Sequence, residues 1–296
     1  MLGFQTYLIV ALAALSLSAS PVQNSGSAGE SCRIAANLSR LPGLPEASGL
    51  AVGRRTPGVL WSVIDSGLPM LYALDAERGA IVGRVRVAGA DVQDWEDVSI
   101  GRCPAGTCLY IADIGDNNAA RSDIIVYRVA EPDLKAAATE PAESFHAIYP
   151  DGPQDAEALF VTPDGQLFIV TKGDSGPIAI YRFLVDVRAG ARVRLERVSA
   201  LPIARAKGES PIRVTDAETS PDGRWVAVRT HDAVLFYDTS NLISGSPREA
   251  FRADVKSLRE PQGEGVAMNS TGDIYLVGES GGAVGTFARL RCTFVR

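Results

Sequence analysis

Five short acidic phrases hold the residues of this chain best suited to chemistry. They read Leu44-Pro45-Glu46-Ala47-Ser48-Gly49-Leu50, Asp94-Trp95-Glu96-Asp97-Val98, Asp155-Ala156-Glu157-Ala158-Leu159, Asp216-Ala217-Glu218-Thr219 and Gln262-Gly263-Glu264-Gly265-Val266. Each stands just ahead of an apolar strand pattern. A second polar set follows the next strand pattern in every copy: Asp65-Ser66, Asp113 with Asp116-Asn117-Asn118, Lys172-Gly173-Asp174, Thr230-His231-Asp232 and Glu279-Ser280. Carboxylates drawn into one ring repel, by about 4 kcal/mol for two charges 4 Å apart at an effective dielectric near 20. Such a ring needs protons, neighbouring Lys or Arg, or a bound cation. Glu, Asp, Asn, Ser and carbonyl oxygens are hard donors and suit Ca²⁺ or Mg²⁺. Only His146 and His231 offer imidazole, which disfavours zinc or iron.

The metal candidates are therefore Glu46, Glu96, Glu157, Glu264, Asp65 and Asp113, with Ca²⁺ as the expected ion. Glu218 stands apart, because its copy is shorter ahead of the following Pro-Asp-Gly turn. Lys172 and Arg229 are the catalytic candidates, able to stabilise developing negative charge beside a polarised water or substrate. Arg205, Lys207 and Arg213 are further cationic side chains that could hold an anionic substrate. A purely structural role competes with all of this. The same glutamates could accept hydrogen bonds from backbone N–H groups of neighbouring strands and so weld the ring.

What must position these residues is a repeat. Five copies spaced roughly 45 to 60 residues apart indicate stacked β units such as propeller blades. The third copy is the clearest, with Glu157-Ala-Leu-Phe-Val, the turn Thr162-Pro163-Asp164-Gly165, then Leu167-Phe-Ile-Val, Ile178-Ala-Ile-Tyr-Arg and Val193-Arg-Leu-Glu-Arg-Val. Four short strands separated by Pro, Gly and Asp turns make one blade. The fold is expected to be all-β, a propeller of five blades with six as the alternative. Leu134–Glu143 is the one Ala-rich helical segment, limited by Pro141. The last copy lacks an outer strand, which Cys32–Leu38 could supply, so that both termini share one blade. In a blade, the loops ahead of first strands and those after second strands open on the same mouth. Both polar sets are therefore expected to converge there.

The chain has 296 residues, 22% of them charged, with a net charge of −6, and nucleic acid is not an expected partner. A cation, or a small-molecule or protein ligand at the mouth, fits better. Tyr7–Leu17 is an apolar run too short to span a membrane, followed by Ser18-Ala19-Ser20. Residues 1–19 are read as a secretory signal, although no Lys or Arg precedes the run. Residues 20–31 are read as a flexible lead-in and 32–296 as a single propeller domain. An uncleaved anchor is the alternative; after processing, no stable membrane insertion is expected. Secretion or a periplasmic location, as a monomer, is the expectation. Four cysteines suit an oxidising compartment. Cys103 and Cys108 flank a tight turn, and Cys32 and Cys292 would meet where a ring of blades closes; a zinc site is the rival use of four Cys.

The phrases also resemble known families. Glu, an apolar strand, a Pro-Asp-Gly-type turn and a second strand resemble secreted propellers of the propeller-phytase, gluconolactonase (SMP-30) and NHL-like groupings. Glu46-Ala-Ser-Gly-Leu-Ala is similar to the opening of the phytase-associated, esterase-like propeller segment. Trp95-Glu96 and Gln262-Gly-Glu264-Gly-Val resemble the five-bladed calcium-activated nucleotidases, whose calcium lies on the propeller axis. The resemblance covers most of residues 40–290 as architecture and implies Ca²⁺ and phosphoester hydrolysis. Two functions follow: a binding or scaffold module with a divalent-cation site, which no legible nucleophile–base pair contradicts, or a Ca²⁺-dependent hydrolase of phosphoesters or lactones. Gly278-Glu279-Ser280-Gly281-Gly282 matches a hydrolase nucleophile pattern, but a strand pattern rather than a helix follows it. Trp61, Trp95 and Trp225 are expected to pack between blades.

Overall fold

A computed structural model describes residues 23–26, 30–174, 176–184, 189–203, 212–281 and 284–294. The expected signal segment, Arg205 and Lys207 lie outside them. Two strands precede the first repeat, β1 (Gln23–Gly26) and β2 (Ser31–Pro42). The first blade is β3 (Ala47–Val52), β4 (Val59–Ile64), β5 (Met70–Asp75) and β6 (Ile81–Arg86). The second is β7 (Trp95–Cys103), β8 (Gly106–Asp113), β9 (Ile124–Ala130) and β10 (Glu143–Ile148). Blade three comprises β11 (Ala156–Val161), β12 (Leu167–Thr171) and β13 (Ala179–Arg182). Its chain then passes through β14 (Arg192–Arg194), which joins blade two, to the outer strand β15 (Glu196–Ala200). Blade four is β16 (Val214–Thr219), β17 (Trp225–Thr230), β18 (Ala233–Asp238) and β19 (Glu249–Asp254). Blade five is β20 (Gln262–Met268), β21 (Asp273–Glu279) and β22 (Val284–Thr293), completed by β2.

The architecture is thus all-β with five blades, not six, and the two termini meet in one of them. Each first strand lies beside the first strands of both neighbouring blades, so β3, β7, β11, β16 and β20 close a ring. The burial patterns explain why. First strands such as β11 and β16 are buried at every position, enclosed on both faces, whereas the outer strand β6 alternates exposed residues with half-buried or buried ones. Five apolar clusters fill the five gaps between successive blades. Trp61 and Trp95 pack between blades one and two, and Trp225 between four and five, as expected. The ring is fastened by a Cys32–Cys292 disulfide between β2 and β22, with Cα atoms 4.0 Å apart. A second disulfide, Cys103–Cys108, spans the β7–β8 hairpin. The cysteines are thus paired with each other, as a zinc site would not allow.

Three local details differ from the sequence reading. Gln23–Gly26, inside the expected lead-in, pairs along the outer edge of β19. The segment read as one outer strand from Val193 is divided, because Arg192–Arg194 runs parallel to β10 before the chain turns into blade three. Residues 134–142 form no helix. Their backbone pairs with β6 instead, Arg86 N–H donating to Ala137 O at 3.2 Å and Thr139 N–H to Arg86 O at 2.8 Å.

Candidate functional site

The β-bulges come first, because they aim the side chains. Every first strand breaks register near its start, between Ala47 and Leu50, Trp95 and Asp97, Ala156 and Ala158, Val214 and Asp216, and Gly263 and Val266. Bulges re-aim side chains and recur beside functional sites. The residues at this break are Ser48, Glu96, Glu157, Thr215 and Glu264, all buried. Equivalent positions of five blades therefore carry three carboxylates and two hydroxyls.

The three glutamates feel one another. Glu96 and Glu157 share a hydrogen bond, and the Glu157 charge acts on Glu264. Burial, then these like charges, push Glu96 well above the usual carboxylate range. Burial also raises Glu157 to about 7, against the pull of Lys172. Glu264 rises to about 8, again mainly through burial, although Gln262 Nε2 donates to its Oε1 at 2.6 Å. Lys172, at the end of β12, pairs with Glu157, lies 3.5 Å from Asp155 Oδ2 and donates to Asn117 Oδ1 at 3.4 Å. Those carboxylates, outweighing burial, hold its ammonium firmly protonated. Thr215 Oγ1 donates to Glu264 O at 2.8 Å, tying blade four to blade five.

The remaining candidates divide sharply. Glu46 is at the rim, where Ser66 Oγ donates to its Oε2 at 3.1 Å; its blade presents Ser48 at the bulge instead. Asp65 lies beside Glu46, and burial followed by that charge raises it. Asp113 is locked: it pairs with Arg121 at 2.7 Å and caps the N–H groups of Gln93 and Asp94. Asp116 accepts from Ala120 N–H and Arg121 N–H and so holds its own turn. Arg229 has no exposed surface and pairs with the buried Glu260, which also accepts from Thr286 Oγ1 at 3.0 Å. Its guanidinium is thus enclosed between blades four and five rather than offered to the mouth. Arg213 pairs with Asp174 at 2.5 Å. Ser280 donates to Val284 O in the β21–β22 hairpin, so the nucleophile-like motif is a turn. Glu218 lies near the far end of its strand, where Ser99 Oγ donates to its Oε2 at 2.7 Å.

Two residues absent from the sequence-derived candidates occupy the axis itself. Asp97 and Asp216, both fully buried, hydrogen-bond each other. Asp97 accepts from Val98 N–H at 2.6 Å, Leu159 N–H at 2.7 Å and Ala217 N–H. Asp216 Oδ2 accepts from Val266 N–H at 2.6 Å and Leu50 N–H at 3.2 Å. One carboxyl pair thus satisfies the equivalent N–H of all five first strands. Burial, more than any other cause, raises Asp97 to about 7 and Asp216 well above its ordinary range, and the Asp97 charge adds to the rise at Asp216. Gly49 completes the plug, since a methyl group there would overlap Asp97 Oδ1. The structural role weighed for the glutamates is filled here by aspartates one position later in the strand.

Hard oxygen donors at the bulge ring suit a Ca²⁺-type cation, which takes six to eight such ligands. Among the described residues Lys172 is the one cation paired with these three buried carboxyls. Among the described residues no three carboxylates are drawn to one ligating point. The ring thus matches such an ion in donor type, while its carboxylates are not spaced to ligate one together.

Comparison with known proteins adds the fold alone. No protein family and no curated protein matches the chain. Among solved structures, glutaminyl cyclase from Myxococcus xanthus superposes with a TM-score of 0.53 at 13% identity, covering 90% of this chain and 98% of that one. The PQQ-bound aldose sugar dehydrogenase from Streptomyces coelicolor gives a TM-score of 0.50 at 11% identity, covering 91% and 100%. A gluconolactonase from Xanthomonas campestris gives 0.46 at 14% identity, covering 92% and 98%.

Proposed function

We propose that this chain is an exported ligand-binding propeller whose mouth carries a Ca²⁺-type cation on the bulge ring. Glu96, Glu157 and Glu264 would hold the ion, with Ser48 and Thr215 completing the ring. The observation that carries this reading is their equivalence. Three buried glutamates share one bulge position and repel one another, and among the described residues Lys172 is the one cation paired with them. When bound, the ion would neutralise the ring and present a positive pole to oxygen donors of a small-molecule or protein ligand. Two disulfides support export, since such bonds persist in oxidising compartments. No helix among the described residues is long and apolar enough to cross a membrane.

Binding is favoured over phosphoester or lactone hydrolysis by the cations. Developing anionic charge needs several donors aimed at it. Enclosure of Arg229 leaves Lys172, among the described residues, as the cation paired at the ring. The test is a melting curve in EDTA and in excess Ca²⁺. Saturation to a hundred times the dissociation constant stabilises by about 2.7 kcal/mol, a rise of several degrees. Glu96→Gln and Glu264→Gln are expected to abolish that rise. A midpoint indifferent to both reagents would end the metal reading, and turnover of a phosphoester or lactone panel would restore the hydrolase.

A further inference from the structure

The channel has a second end, and it is built differently. At the far ends of the first strands two adjoining hollows of about 380 and 280 Å³ share Arg54, Thr219 and Pro221. The larger has apolar walls from Val52, Ile100 and Met268, with Glu218 beside Thr219. Thr219 is 5% exposed, and its Oγ1 is buried without a hydrogen-bond partner. Arg54 is exposed yet anchored through its backbone. The buried Glu131 accepts from Arg54 N–H at 3.0 Å, Arg55 N–H at 2.9 Å and Trp61 Nε1 at 3.1 Å. The Arg54 Nη2 donates to Ile100 O at 3.2 Å, which directs the guanidinium across the hollow and leaves further N–H donors.

From this arrangement we infer a second ligand site at the far end of the channel, selective for a small organic monocarboxylate with an apolar body. Arg54 would pair with the carboxylate, whose fork geometry matches a guanidinium. The Thr219 hydroxyl would find there the partner it lacks. Glu218 does not repel such an anion, because burial pushes it up to about 8, and at neutral pH it is itself a hydrogen-bond donor. The apolar walls take the hydrocarbon part, and the volume suits a ligand of roughly benzoate size. A bare inorganic anion would leave those walls uncovered, so the site should discriminate against it.

Isothermal titration of the full chain with benzoate, benzyl alcohol and inorganic phosphate tests this. Saturable benzoate binding is expected, with neither of the others binding at the same concentration. Arg54→Ala, a change at an exposed side chain, is expected to weaken benzoate at least about tenfold. Glu218→Gln, which keeps a neutral donor, should retain binding within roughly threefold, and Glu96→Gln at the opposite mouth should have no effect. The inference is overturned by absence of saturation up to about 10 mM, by equal affinity for phosphate or benzyl alcohol, or by an Arg54→Ala variant that binds like the wild type.

Discussion

Replacing Asp216 separates the two roles of the axial carboxyl pair. In Asp216→Ala, Leu50 N–H and Val266 N–H lose their acceptor inside the buried core. Each buried unpartnered donor costs about 1–3 kcal/mol, so the loss is roughly 4 kcal/mol. For a chain of this size that lowers the melting midpoint by about 10 °C. Asp216→Asn behaves differently: its amide oxygen still accepts from both N–H groups, and its NH₂ donates to Asp97. The difference lies in pH. A carboxyl whose folded pKa is raised contributes stability that is complete below its unfolded pKa and is lost as pH climbs through the folded value. For Asp97, raised from 3.8 to about 7, that window spans about 4 kcal/mol. The asparagine variant cannot ionise at this position, so Asp97 keeps a donor while the Asp216 ionisation, which burial and the Asp97 charge oppose, drops out and the decline flattens. Urea unfolding in EDTA at pH 5 and pH 8.5 measures this. Contributions from Glu157, Glu218 and Glu264 fall in the same window but cancel between wild type and variant. At pH 8.5 the expected order places Asp216→Asn at or above wild type, with Asp216→Ala well below. An asparagine variant that falls as far as the alanine one would refute the plug, as would a wild type that grows more stable from pH 5 to 8.5.

The two disulfides should contribute unequally. By loop-closure entropy the Cys32–Cys292 bond, with a sequence separation of 260, contributes about 5.6 kcal/mol and the Cys103–Cys108 bond, with a separation of 5, about 2. Melting the Cys32→Ser/Cys292→Ser and Cys103→Ser/Cys108→Ser proteins compares them directly, and equal losses would contradict the ring-closing role. Glu260→Gln leaves the enclosed Arg229 charge uncompensated and should cost about 3–5 kcal/mol in urea unfolding. The double variant Arg229→Met/Glu260→Met should recover most of it, and failure to recover would mean packing rather than charge decides the site.

The five-blade repeat was legible because each copy pairs an acidic phrase with an apolar strand pattern and a polar turn. The finer register was not, for a reason that the turns themselves contain. Glu157 lies six positions before Pro163 and Glu264 six before Ser270, whereas Glu218 lies only three before Pro221. Six positions before Pro221 is Thr215, the residue found at the bulge. Counting from the turn, rather than matching acidic letters, would have found it. Glu46 misled in the same way, since the glutamate of its phrase stands two positions ahead of the bulge residue Ser48. The axial role of Asp97 and Asp216 had no comparable signal. Which backbone N–H groups converge on an axis depends on ring closure, and no single blade reveals it. Arg229 looked available because the polar Thr230, His231 and Asp232 follow it at the strand exit, yet the side chain is enclosed with Glu260.

The claim on which the account rests is that the bulge ring holds a divalent cation. A crystal of the full mature chain grown with Ca²⁺ and measured at long wavelength tests it most directly. The expected result is one anomalous peak on the propeller axis, within ligating distance of Glu96, Glu157 and Glu264 and absent from crystals grown in EDTA. A ring still occupied by the Lys172 ammonium in saturating Ca²⁺, with no peak on the axis, would contradict it.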